Sequence, residues 1–134
     1  MKRILVGYDG SISAGHALAR AASLANAMGA SLTILTAASD RLIRGDGVET
    51  LAVDDSAAKR LAEAGCVLAR EHGVSDVSFR VAAEAPGDAL VAASPEFDLV
   101  VVGHRGLGAL QELILGSTAK WVVDHVRTSV LVVR

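Results

Sequence analysis

Two rhythms of apolar and polar positions take turns along this chain. Short, nearly continuous apolar runs occupy Lys2–Tyr8, Ser31–Ala38, Asp98–Gly103 and Ser129–Arg134. Runs of that length, bounded by turn residues, predict strands covered on both faces. A fifth run, Asp76–Ala82, alternates Val77, Phe79 and Val81 with polar neighbours, which predicts a strand less covered on one side and placed towards a sheet edge. Between these runs the period lengthens. Ala14, Ala17, Leu18, Ala21, Leu24, Ala25 and Met28 form a helical stripe, with Ser11 or Ser13 available as its N-terminal cap and Gly29 as its stop. Asp55–His72 carries Ala58, Leu61, Ala64, Gly65 and Leu68 on one face and ends at Gly73. Pro86 and Gly87 introduce a short helix over Asp88–Ala93 that Pro95 is expected to stop, and Ala119, Val122 and Val123 define a last helix from Ser117 to His125. Ser39–Asp54, with Gly45, Gly47 and several charges, reads as a surface excursion. The order β-α-β-α-β-α-β-α-β predicts an α/β fold, a doubly wound parallel sheet with helices on both faces, as one domain over residues 1–134.

Composition sharpens this picture. Of 134 residues, 51% are hydrophobic but only 3% aromatic, so the core must be built from small and branched side chains in close helix-on-sheet layers. A formal net charge of −2, with no Lys or Arg run, leaves no electrostatic footprint for nucleic acid. The longest apolar runs fall short of the ~20 residues a membrane helix needs, and Met1-Lys2-Arg3 passes directly into Ile4-Leu5-Val6 without a signal-peptide core. Cys66 stands alone, which excludes a disulfide or a zinc knuckle within the chain and predicts a small residue packed on a helix face. These features lead us to expect a cytoplasmic protein with neither nucleic-acid nor membrane partners.

The chemistry concentrates between Gly103 and Thr118, GHRGLGALQELILGST, where Gly103, Gly106 and Gly116-Ser117 follow a G-x2-G-x9-G-[S/T] spacing directly after a predicted strand. Glycines let backbone N–H groups approach an anion, and a helix N-terminus adds unpaired donors and the positive end of a dipole. The combination suits a phosphate. In a doubly wound sheet, ligands lie beyond the carboxyl ends of the strands where strand order reverses. If the first and fourth strands are neighbours, Gly7-Tyr8-Asp9-Gly10 and Gly103-His104-Arg105-Gly106 flank one crevice, with the Asp9 carboxylate on one side and a phosphate cradle on the other. Each feature also has a plain reading: the glycines as a tight strand exit, Gly116-Ser117 as a helix cap, Asp9 as an Asx turn, Arg105 as a solvated cation. Catalysis has weak support: there is no G-x4-G-K-[ST] loop, nucleophile elbow, HExxH or Cys-His pair. His16, His72 and His125 lack partners at metal-ligand spacing, and His72 and His125 suit helix C-terminal ends. Trp121 reads as a ring packed at a helix or dimer surface.

With ILVGYDGS at the start, VVVGHRGLGAL…LGS in the second half and SVLVVR at the end, the chain resembles the universal stress protein family over essentially its whole length. The resemblance implies a five-stranded, Rossmann-like parallel sheet of order 3-2-1-4-5 and a homodimer paired through residues 129–134. It also implies binding of ATP, with magnesium or manganese as possible companions. Carried onto this sequence, the nucleotide site would comprise Gly7, Tyr8, Asp9, Ala37, Gly103, His104, Arg105, Gly106, Gly116, Ser117 and Thr118. Gly7 stands where some ATP-binding members have proline, and Ala37 is smaller than the valine often found there. The function implied is that of a nucleotide-dependent stress regulator, with slow ATP hydrolysis at most. A non-nucleotide interaction module and a cyclic-AMP binder of the same fold remain as alternatives.

Overall fold

A computed structural model describes residues 1–38, 55–105 and 115–134. The expected excursion over residues 39–54 lies outside the described residues, as does Gly106. The elements are β1 (Arg3–Gly7), α1 (Ile12–Met28), β2 (Ser31–Ala37), α2 (Asp55–Glu71), β3 (Val77–Ala82), α3 (Pro86–Ala93), β4 (Leu99–Gly103), α4 (Ser117–His125) and β5 (Ser129–Val133), with a 3-10 turn at Ser94–Glu96. The five strands form one parallel sheet of order β3-β2-β1-β4-β5. The alternating Val77–Ala82 segment is thus an edge strand, as its pattern predicts.

Alternation along each central strand divides the core into two layers. Ile4 and Val6 of β1, Leu32 and Ile34 of β2, and Leu99 and Val101 of β4 pack with Leu18, Ala21 and Ala25 of α1 and with Cys66 and Ala69 of α2. Leu5, Leu35, Val100 and Val102 point the other way, onto Leu90 of α3, Phe97 and Val122 of α4. All five residues Ile4, Leu5, Val6, Val100 and Val101 have zero exposure, and each such side chain contributes roughly 1.5–3 kcal/mol of burial. The alanines of α1 are what let that helix lie close to the sheet: Ala17, Ala21 and Ala22 are wholly buried. Cys66 is buried in the same layer, and that burial pushes its thiol pKa up.

The helix ends follow local chemistry. Ser11, not Ser13, caps α1, its hydroxyl accepting from the Ala14 N–H at 3.1 Å. Gly29 takes the left-handed conformation at φ 64° and sends its N–H to the Ala25 carbonyl. His72 and His125 each contact a carbonyl four residues back, at Leu68 and Trp121, both at 2.8 Å, consistent with histidines at helix C-termini. Trp121 is a surface ring, 44% exposed and stacked on His125 at 3.7 Å between centroids. α3 departs from expectation. It begins at Pro86, since a proline at the first helical position has no N–H to leave unpaired. The chain then continues past Ala93 through a 3-10 turn that contains Pro95, because proline is tolerated in a first turn and therefore does not stop the chain there.

Two acidic residues fasten strands. The Asp98 carboxylate accepts from the backbone N–H groups of Lys2 and Arg3 at 2.8 and 2.9 Å, tying the start of β1 to that of β4. Glu96 forms a two-pronged pair with Arg80 of β3 at 3.0 and 2.8 Å, while the guanidiniums of Arg80 and Arg3 lie over the Phe97 ring at 5.3 and 4.7 Å. No helix among the described residues is long and apolar enough to cross a membrane.

Candidate functional site

β1 and β4 are neighbours, with Ile4, Leu5 and Val6 in register with Leu99, Val100 and Val101. The next strand in sequence after β1 lies on its other side, so strand order reverses between β1 and β4. Doubly wound folds hold ligands beyond the carboxyl ends of the strands at such a reversal, which makes the ends of β1 and β4 the candidate site.

On the β1 side, Gly7 is half-buried at the strand end, and a Cβ there would stand 3.0 Å from Cδ1 of Leu90. A small residue at this place follows from the second core layer. Tyr8 donates its N–H to the Leu35 carbonyl at 3.0 Å and accepts on its own carbonyl from the Thr36 hydroxyl at 2.9 Å. Its ring packs onto the first core layer against Gly65 of α2, which commits that face of the ring to packing. Asp9 closes an Asx turn, its carboxylate accepting from the Ser11 N–H at 2.9 Å. Ala37, half-buried, ends β2 opposite Ala82.

On the β4 side, Gly103 is a point of close approach. A Cβ at this position would lie 2.7 Å from the backbone carbon and oxygen of Ser13, so the first turn of α1 rests directly on the strand end. His104 follows, held at both ends of its peptide: its N–H donates to the Val133 carbonyl at 2.8 Å, and its carbonyl accepts from the Gly116 N–H at 2.6 Å. Its ring lies between two partners, Ser13 Oγ at 3.2 Å from Nδ1 and Arg105 Nε at 2.9 Å from Nε2. Gly116 is buried and takes the N-cap position of α4 with no side-chain cap bond. Ser117 and Thr118 form the first turn, which contains no acidic residue. The first N–H groups of a helix have no intrahelical acceptor and carry the positive end of the helix dipole.

These contacts bring three segments together. Gly103, His104 and Arg105 meet the start of α1 through Ser13 and the start of α4 through Gly116, while Tyr8 links the end of β1 to the end of β2 just before Ala37. Gly106 lies outside the described residues. Ser13 is a participant that the sequence pattern offers only as a helix cap, because its partner His104 lies 91 residues away. No group of three or more His, Cys, Asp or Glu side chains among the described residues could hold a metal ion. Two surface grooves lie elsewhere, one of about 440 Å3 between α2 and β3, near Cys66 and Phe79, and one of about 380 Å3 along α1 between His16 and His72.

Comparison with known proteins agrees with this architecture. A model of the universal stress protein family matches residues 1–134. A universal stress protein of Mycobacterium tuberculosis (strain ATCC 25618 / H37Rv) is 34% identical over 132 residues, 98% of this chain, and this chain spans only 45% of that relative's length. A putative universal stress protein of Staphylococcus aureus (strain USA300) is 31% identical over 139 residues, covering 99% of this chain and 84% of the relative. Among solved structures, a universal stress protein in complex with cAMP superposes with a TM-score of 0.77 at 31% identity, covering 99% of this chain and 96% of that one. The sheet order and the sequence matches lead to one conclusion: this chain belongs to the universal stress protein family.

Proposed function

We propose that this protein binds an adenine nucleotide, ATP foremost, in the crevice between β1 and β4, and serves as a nucleotide-dependent regulator in a stress response. The observation that carries the reading is the convergence at the topological switch point. There the start of α4, whose first turn holds no acidic residue, the His104-Arg105 segment and the Asp9 turn all border the same strand ends. Phosphate oxygens would meet the N–H groups of Ser117 and Thr118 and the guanidinium of Arg105, with Gly116 admitting them closely. Gly106 belongs to the same proposed cradle by its place in the motif. Asp9, Gly7, Tyr8 and Ala37 would border the nucleoside. A magnesium or manganese ion would be held chiefly by the nucleotide's own phosphates, because the described residues offer no ligand cluster.

Cyclic AMP is the second reading. It is favoured by the 31% identical family member solved with cAMP, since a cyclic phosphate could use the same donors. Calorimetric titration of nucleotide-stripped protein with ATP, AMP and cAMP decides between them. Saturable heat from ATP is the expected result; heat from cAMP alone would shift the assignment to the cyclic nucleotide, and none from any of the three would leave an interaction module. Binding without turnover fits the absence of a P-loop lysine in the sequence.

The proposed assembly is a homodimer joined through β5. This strand is a sheet edge, and Val130, Leu131 and Val132 remain only half-buried in the single chain. An apolar edge of this kind is closed by pairing with a second copy about a two-fold axis. Sedimentation equilibrium should give twice the chain mass; a monomer mass at every concentration would exclude the dimer.

A further inference from the structure

We propose that Ser13, His104 and Arg105 form one hydrogen-bonded row that aims the Arg105 guanidinium at a phosphate of the bound nucleotide. In this scheme His104 is a positioning residue, and Arg105 sets the preference for phosphorylated over unphosphorylated adenosine ligands. The inference rests on the adenine-nucleotide reading of the site and adds to it a specificity element.

The direction of each bond follows from the donors available. A guanidinium carries only donors, so Arg105 Nε–H donates to His104 Nε2 at 2.9 Å and that nitrogen holds a lone pair. The imidazole proton therefore sits on Nδ1, and Nδ1–H donates to Ser13 Oγ at 3.2 Å. Both ring nitrogens are committed. The row is also anchored at its far end, because Ser13 lies on the first turn of α1, where Gly103 leaves no room for a Cβ. The His104 peptide is fixed by Val133 on one side and Gly116 on the other. Little freedom remains for the ring.

With Nε engaged, Arg105 keeps its two terminal amino groups, the planar fork that matches two oxygens of a phosphate. The ion pairs among the described residues involve Arg3, Arg80 and Lys120, and Arg105 belongs to none of them. Through the Gly116-to-His104 bond, the base of Arg105 also adjoins the start of α4. A full cation and a helix N-terminus thus border one loop with no first-turn carboxylate between them. That arrangement favours a charged phosphate far more than the neutral nucleoside.

The test compares ATP with adenosine, which share the base and ribose, on the intact protein and three variants. Arg105→Gln should weaken ATP binding about tenfold or more while leaving adenosine affinity unchanged. The histidine variants divide the row. His104→Gln places an amide oxygen near the Nε2 position and preserves an acceptor for Arg105, so ATP affinity should stay within about threefold of wild type. His104→Asn reaches only the Nδ1 position, keeps the bond to Ser13 and abandons Arg105, so it should lose ATP affinity as Arg105→Gln does. An unchanged ratio of ATP to adenosine affinity in Arg105→Gln, or equal behaviour of the two histidine variants, overturns the proposal. Parallel loss of both ligands in His104→Asn also overturns it, because the row would then serve folding alone. If wild type binds neither ligand, the crevice reading itself has failed.

Discussion

Gly103 stands where a strand end, a helix start and a candidate ligand loop compete for the same space. Its place in the glycine motif suggests room for a phosphate, and its surroundings add a second demand. Any side chain would drive a Cβ to 2.7 Å from the Ser13 backbone, a contact that flexible atoms cannot relieve. Gly103→Ala should therefore push α1 off the end of β4 and cost about 1–3 kcal/mol, as overpacking does. The urea midpoint reads this directly, and a midpoint equal to wild type would show that the helix gives way freely. The glycine itself is legible in the sequence, but this reason for it is not, because Ser13 comes near Gly103 only once α1 has folded back over the sheet. Tyr8 teaches the same lesson. The chain places it beside Asp9 in the candidate site, and only the fold shows that one face of its ring is also packed against the helix at Gly65.

At the level of elements, strands and long helices are legible because their periods differ and because glycines and serines mark the ends of α1. The short helix is less so. Proline signals both a start and a stop, and only the packing of Leu90 and Phe97 into the second layer shows where α3 begins and how the chain continues after it. Asp98 illustrates a further limit: it reads as the first residue of a strand, yet its carboxylate staples two strands by accepting two backbone N–H groups. Those bonds hold its carboxyl pKa below the ordinary value, and the hydrogen bond from Arg80 does the same for Glu96. Both groups bind protons less readily folded than unfolded. The stabilisation they give is complete above the ordinary carboxylate range near about pH 4, and it is lost as the pH falls through their lowered folded values. Asp98→Asn should be less stable than wild type at neutral pH, with a gap that narrows on acidification towards about pH 3. Thermal melts across that range measure the gap, and a constant difference would assign the effect to something other than the charge.

For the whole molecule, the alternation of elements specifies an open parallel sheet, and the neighbour relation of β1 and β4 brings the starts of two sequence motifs to adjacent strand ends. The motifs are legible in the chain. The Ser13–His104–Arg105 row that joins them is not, since its members are brought together by topology and carry no local signature. Gly116 is the buried cap through which a phosphate would reach the N-terminus of α4. Its φ of −73° and ψ of 167° are extended values that valine adopts readily, so Gly116→Val should fold while its branched side chain obstructs the anion. The most direct measurement is a calorimetric titration of ATP into nucleotide-stripped wild type and Gly116→Val, with matched melting curves as the folding control. Saturable binding by wild type and at least about a tenfold loss in the variant, about 1.4 kcal/mol, is the predicted result. Equal affinity in the two proteins, or no binding by wild type, would contradict a nucleotide held at the head of α4.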